Sequence, residues 1–228
     1  MDILITSSSR PDLLQQTIKS MQDKLKFSGT LRWLLHEDCL DENRSTQVIC
    51  WAEQSNLFDE IVVSKPRIGL GASVYEMFSY IESLVFFRSC DDWRYTKEID
   101  LDILLNLFEK YEKINQIVFH KRCVEGTKNE FLRESTNFDG TWLTITNQWG
   151  WIPAIWRTGF VKEKYKLAWT SGISFFDELK GKTVLDPMWF KENMGAYLFG
   201  KIEESDIFIK HIGGGRRTLD NGGCFGIY

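Results

Sequence analysis

No stretch of this sequence approaches the roughly 20 consecutive apolar residues of a membrane-spanning helix, and Met1-Asp2-Ile3 opens on a strand pattern without a basic segment and apolar signal region. Both absences set the expectation of an intracellular, cytoplasmic protein. Cysteine is sparse: Cys39, Cys50, Cys90, Cys123 and Cys224 are odd in number and scattered, with no CxxC pair, which fits neither a disulfide framework nor a zinc site. A basic surplus is missing too. With 28 Lys and Arg against 32 Asp and Glu, the formal net charge is −4, which argues against a surface that coats nucleic acid. Internal repeats and low-complexity segments are absent, and Ser7-Ser8-Ser9-Arg10 contains no glycine, so the glycine-rich triphosphate cradle that often follows a first strand is not there.

What is present suits one large core: 228 residues, 43% hydrophobic and 14% aromatic. Ile3 to Thr6 reads as a buried strand, followed by a helix entered at Pro11 with Leu13, Leu14, Thr17, Ile18 and Met21 on one face. Leu31 to Leu35 and Ile61 to Ser64 are further strands, each followed by a helical pattern, the second with Val74, Met77, Phe78, Ile81 and Leu84 inward. Val85-Phe86-Phe87 begins a fourth strand. Strands alternating with helices predict a single-domain α/β fold, a Rossmann-like, mostly parallel sheet flanked by helices, with a nucleotide-binding half in the first 90 or so residues. Beyond it, Asp100 to Tyr111 reads as an amphipathic helix, Ile117 to Phe119 and Trp142 to Thr146 as strands, and the polar Lys121 to Gly140 as loop. Val184 to Phe199 is helical in period, Ile207 to Ile209 a short strand, and His211 to Arg217 a basic turn.

The stretch Phe86-Phe87-Arg88-Ser89-Cys90-Asp91-Asp92-Trp93 organises the rest. Two adjacent carboxylates stand where a strand leaves the sheet, the end at which open α/β sheets bind ligands. Such a pair suits Mg²⁺ or Mn²⁺, which take few protein carboxylates and complete their shells with water and phosphate oxygens; equally, two acids after an apolar run can be a solvated loop or a helix cap. The serine cluster with Arg10 can cap the first helix or meet an anion. Trp149, Trp151, Trp156 and Trp169 are either core or a platform for a sugar ring. His36 and His120, in or beside strands, read as structural.

Taken together these motifs resemble the type A fold glycosyltransferases, in particular the family 2-like inverting enzymes that use nucleotide-diphosphate sugars. Ile3 to Pro11 looks like that family's first strand and turn, Glu37-Asp38 stands at its nucleoside-contacting acid, and Arg67-Ile68-Gly69 resembles its donor loop. Cys90-Asp91-Asp92-Trp93 is similar to its Glu-Asp-Asp-Trp form of the DxD motif, with Cys90 in place of the first acid. Trp151 to Arg157 is similar to the acceptor segment, Lys191 to Gly195 to the helix bearing the catalytic acid, and His211-Ile212-Gly213 to the late histidine of the metal or diphosphate site.

The resemblance implies a nucleotide-sugar-binding half over 1–95 and an acceptor-binding half with a C-terminal loop over 96–228. It implies a donor site of Thr6, Ser7, Arg10, Asp38, Arg67, Gly69, Asp91 and Arg216, and Mn²⁺ or Mg²⁺ held by Asp91, Asp92 and His211. Glu192 would be the base that deprotonates the acceptor hydroxyl, with Asp177 or Glu178 in reserve, and Trp149, Trp151 and Trp156 would line the acceptor site. The acceptor stays open between a glycan, a small molecule and a hydroxymethylated DNA base. The last would be flipped into the tryptophan pocket while Lys121, Arg122, Lys128, Arg216 and Arg217 meet phosphates, in the manner of bacteriophage DNA-modifying enzymes acting in the host cytoplasm. A nucleotidyltransferase on the same sheet, and a non-catalytic sugar- or nucleotide-binding module, are the competing readings; Cys90 favours the second.

Overall fold

The computed structural model describes residues 1–119, 132–146, 152–163, 194–201 and 208–213. The first half is the expected alternation: β1 (Asp2–Ser7), α1 (Pro11–Lys24), the short β2 (Leu25–Lys26), β3 (Arg32–Asp38), α2 (Glu42–Ser55), β4 (Glu60–Ser64), α3 (Leu70–Met77) and β5 (Val85–Cys90). Then come β6 (Trp93–Tyr95), β7 (Ile99–Asp100), α4 (Leu101–Lys110), β8 (Gln116–Val118), β9 (Leu132–Phe138), β10 (Thr141–Thr146), β11 (Ala154–Arg157), β12 (Ala196–Phe199) and β13 (Ile209–His211).

One nine-stranded sheet runs β4-β3-β1-β5-β11-β8-β12-β10-β9. β4, β3, β1 and β5 are all parallel, and across the sheet only β11 and β10 run against the others. Alternation along each strand divides the core between the two faces. Ile3, Ile5 and Phe87 pack on one side with α1 and α4, and Leu4, Phe86 and Trp156 on the other with α3. Each of those aromatic side chains, wholly removed from water, contributes on the order of 2–3 kcal/mol.

Local signals explain the helices. Pro11 opens α1, whose buried face is Leu13, Leu14, Thr17, Ile18 and Met21 as the spacing predicts. Asp41 caps α2 by accepting from the Arg44 N–H, and Asp100 caps α4 through the Ile103 N–H.

Four expectations are corrected. Residues 121–140 are not all loop: Asp139 (φ 51°) and Gly140 (φ 93°) form the two-residue turn of a β9–β10 hairpin, an Asp-Gly signal strong enough to override a polar composition. Ala196–Phe199 is strand rather than helix, pairing parallel with β8. Gly195 permits this, because at φ 54° a Cβ there would lie 1.6 Å from the Lys113 carbonyl oxygen. α3 stops at Met77, leaving Leu84 87% exposed rather than inward. Trp156 belongs to the core: it sits on β11 beside β5, fully buried, edge-on to Phe86 at 5.6 Å between ring centroids, and is not on an acceptor surface.

β1 is fastened at its start by Asp2. The Asp2 carboxylate accepts from Arg32 Nε (2.9 Å) and Nη2 (3.2 Å) and from the Glu82 and Ser83 N–H groups (2.7 and 2.9 Å). Burial would raise its pKa, but these donors and the Arg32 charge outweigh it and bring it down to about 2. A depressed carboxyl contributes stability above its unfolded pKa and loses it as pH falls through the folded value. The wild-type urea midpoint should therefore fall between about pH 4 and pH 2. Asp2→Asn should be less stable at neutral pH and show a shallower loss over that interval; parallel pH profiles for the two proteins would refute this role for Asp2.

Candidate functional site

The carboxyl ends of β1, β3 and β5 meet at one edge of the sheet, and the segments leaving them build the site. β1 runs into Ser7-Ser8-Ser9-Arg10. Ser9 takes φ 53°, and its backbone N–H donates to Glu37 Oε1 at 2.7 Å. Leu40 and Asp41 in turn donate their N–H groups to the Ser9 hydroxyl at 3.0 and 2.9 Å. The Glu37 carboxyl is wholly buried, and burial pushes its pKa up against these serine hydrogen bonds.

This turn aims Arg10 inward. Its Nε donates to Asp91 Oδ2 at 3.0 Å, its Nη2 reaches Asp91 Oδ1, and its Nη1 donates to Asp92 Oδ2 at 2.9 Å. The guanidinium thus forks over one carboxylate and touches the next. Asp91 also accepts from the Ser7 hydroxyl (3.1 Å) and the Ser8 N–H (3.2 Å), while its backbone is pinned through Asp91 N–H to the Thr6 carbonyl (3.0 Å) and Thr17 hydroxyl to the Asp91 carbonyl (2.8 Å). Complete burial, with the charge of Asp92 beside it, pushes the Asp91 carboxyl up to about 6 in spite of Arg10. Burial would lower Arg10, but the two carboxylates hold it well above its ordinary value.

His211 closes the far side. Its Nε2 lies 3.2 Å from Asp92 Oδ2 and its ring stands edge-on to Trp93 at 5.0 Å. β13 pairs with β6, the Ile212 N–H donates to the Asp92 carbonyl (2.8 Å), and a Cβ on Gly213 would come within 2.7 Å of Asp92 Oδ2.

Beside this cluster opens a pocket of about 540 Å³, its solvent-open mouth included, walled by Thr6, Ser7, Arg10, Asp38, Arg67 and Cys90. Ser8, Leu40, Leu70 and Ser73 complete it, and the last three carried no signal in the sequence beyond ordinary helix and turn positions. Asp38 builds the wall rather than presenting a free carboxylate to a ligand: its oxygens accept from the Ile68 N–H (2.7 Å) and the Gly69 N–H (2.9 Å), with Arg67 Nε at 3.4 Å. Cys90 lies at the floor, 3.4 Å from the Thr6 hydroxyl and 3.0 Å from Nη2 of the wholly buried Arg88, a contact the sequence did not suggest. His36 is structural as expected, buried with Nε2 at 3.0 Å from Ser64 Oγ and 2.9 Å from Glu76 Oε2.

The structure therefore brings Thr6, Ser7, Arg10, Asp38, Arg67, Gly69, Asp91, Asp92 and His211 together. Glu192, Asp177, Glu178, Arg216, Trp149 and Trp151 lie outside the described residues. The expected ligand set for Mn²⁺ or Mg²⁺ does not fit in this arrangement. Both Asp91 oxygens and one Asp92 oxygen are already on Arg10, and no cluster of three or more His, Cys, Asp or Glu suited to a metal ion occurs among the described residues.

If Asp38 is what shapes the Arg67–Gly69 loop, Asp38→Ala should leave the sheet intact but accelerate amide hydrogen exchange at Ile68 and Gly69 by at least roughly tenfold, since a hydrogen bond to a charged group is worth about 1.5 kcal/mol or more. Unchanged protection at those two amides would show that the loop holds itself.

No protein-family model matches the chain, and no curated protein matches it significantly. Solved structures do. S. aureus TarS aligns with a TM-score of 0.52 at 11% identity over 72% of this chain and 29% of its own. A mannosyltransferase from Pyrobaculum calidifontis in complex with GDP-Man and Mn²⁺ aligns at 0.52 and 9% identity over 71% of this chain and 45% of its own. Residues 1–349 of TarS in complex with UDP-GlcNAc align at 0.53 and 8% identity over 91% of this chain and 60% of that one. The chain thus spans less than half the length of the first two. At such identities the likeness speaks to the backbone, and what it shows is the architecture: a single α/β domain with the type A glycosyltransferase fold.

Proposed function

We propose that the chain is a glycosyltransferase that takes a nucleotide-diphosphate sugar in the pocket beside Arg10 and moves the sugar to an acceptor hydroxyl with inversion. The observation that carries this reading is the pocket's place: it lies at the carboxyl ends of the parallel strands, between the β1–α1 turn and the Arg67–Gly69 loop. The fold's solved neighbours include complexes with GDP-Man and UDP-GlcNAc. In this reading residues 1–95 are the nucleotide half and 96–228 the acceptor half.

Breaking the bond from the sugar's C1 to the diphosphate builds negative charge on phosphate and oxocarbenium character on the sugar. Two cations stand on the pocket wall to meet that charge, Arg10 at its floor and the part-exposed Arg67 at its rim. Arg216 joins them in this assignment. Attack from the opposite face needs a carboxylate within reach of the acceptor hydroxyl, the role given to Glu192, with Trp149 and Trp151 on the acceptor side. Trp156 has no part in it, because it is sealed in the core. A non-catalytic nucleotide-binding module is the second reading, favoured by one observation: the acidic pair is closed over by Arg10.

Calorimetry against a panel of nucleoside diphosphates, with mass spectrometry of the matching nucleotide sugars, tests the proposal. Arg67→Ala should weaken nucleoside diphosphate binding by roughly tenfold or more, the loss of a charge-assisted hydrogen bond, while saturated turnover changes less. Glu192→Gln should bind the donor as wild type does and transfer sugar about 10²- to 10⁴-fold more slowly. Release of pyrophosphate would mean nucleotidyl transfer, tight binding without turnover would mean the module, and no binding by any nucleoside diphosphate would end the donor-site reading.

A further inference from the structure

We infer that Arg10 is a built-in cation standing where a divalent metal would join the acidic pair to a diphosphate, so that this site takes its anionic ligand without a metal ion. The part concerning the diphosphate rests on the function proposed above; the part concerning the metal does not.

Three observations carry it. The first is ligand occupancy. Arg10 covers both oxygens of Asp91 and shares Asp92 Oδ2 with His211, and the Arg10, Asp91 and Asp92 side chains are only 7%, 0% and 2% exposed. A hard cation requires several oxygen ligands in near-octahedral array and keeps waters of its own. A cation bound by this pair would have to displace Arg10 from three of the four carboxylate oxygens.

The second is that the carboxylates cannot turn away to make such a site. The Asp91 carboxylate is held, besides Arg10, by the Ser7 hydroxyl and the Ser8 N–H on Oδ2, and Asp92 is covered by the β13 strap, where a Cβ on Gly213 would strike the Asp92 side chain. The third is placement. Arg10 belongs both to the acidic cluster and to the wall of the pocket, so one guanidinium connects the buried negative charge to whatever anion enters. A planar fork that is always charged suits that bridging role, as a flexible ammonium would not.

Adding a dication with Arg10 in place would press two cationic groups together in a site closed to solvent.

The test is Mn²⁺ binding followed by the electron paramagnetic resonance of free Mn²⁺, run on the full chain with and without UDP or GDP. Wild type should take up no stoichiometric Mn²⁺ in either condition. Arg10→Gln, checked for folding by circular dichroism, should gain one Mn²⁺ site that Asp92→Asn removes again, and Arg10→Lys should keep the metal out. One equivalent of Mn²⁺ on the wild type would overturn the inference, as would a folded Arg10→Gln variant that binds no better than wild type. The wild-type measurement decides by itself if the variant does not fold. In parallel, UDP and GDP affinities in EDTA should match those in Mn²⁺ within about twofold, and a rise of roughly tenfold or more with Mn²⁺ would also overturn it. Absence of nucleotide binding in both buffers would count against the proposed function, while the Mn²⁺ titration would still decide the metal question.

Discussion

A carboxylate shut away from water must be answered by positive charge and hydrogen bonds, and the answer to Asp91 determines the shape of this site. Five donors converge on it: two guanidinium nitrogens of Arg10, the Ser7 hydroxyl, the Ser8 N–H, and through the backbone carbonyl the Thr17 hydroxyl. Four come from the single turn between β1 and α1, so the turn cannot relax without stranding the charge. That is why Ser9 is held at φ 53° and why Glu37 and Asp41 brace it from the neighbouring connection. A buried ion pair of this kind adds little net stability, because desolvating both partners offsets most of their attraction; removing one partner is far worse. Its consequence is geometric. The pair fixes where β1 ends, where α1 begins and which way Arg10 faces.

β1 is therefore clamped at both poles by the same chemistry. At its start Asp2 receives Arg32 and two backbone N–H groups from residues 82 and 83; at its end Thr6, Ser7 and Arg10 reach across to β5 and Asp91. Between the clamps Ile3, Leu4 and Ile5 are wholly buried and alternate between the two faces. The strand can neither slip in register nor tilt without breaking one clamp, and the pocket inherits that rigidity because Thr6, Ser7 and Arg10 are among its walls.

The first half of the chain was legible in sequence because its signals are local. Apolar runs bounded by turn residues gave β1, β3, β4 and β5, and the period of Leu13, Leu14, Ile18 and Met21 gave the inner face of α1. The second half was less legible for equally physical reasons. Ala196–Phe199 is four residues long, too short to separate strand from helix by period, and only its pairing with β8 decides. Trp156 carries the same symbol whether it stacks on a sugar or fills a core; the antiparallel insertion of β11 between β5 and β8 assigns it to the core, and that pairing spans more than 60 residues of sequence. Asp91 and Asp92 were found by position, but their partner Arg10 is some 80 residues away, and no spacing rule relates the two.

That last failure bears on how acids at strand ends should be interpreted. Asp38 ends β3 and Asp91 follows β5 at the carboxyl edge of the sheet, and both look from sequence like groups waiting for a ligand. In the folded chain each is already satisfied: Asp38 by the Ile68 and Gly69 amides, Asp91 by Arg10 and the serine turn. Their work is to shape the pocket, whose cationic lining is the guanidinium of Arg10, held by Asp91, and the side chain of Arg67 beside Asp38. Each of these two anions thereby lies behind the guanidinium or backbone N–H groups paired with it. What the pocket offers a ligand is set by this pairing, which residue type alone does not reveal.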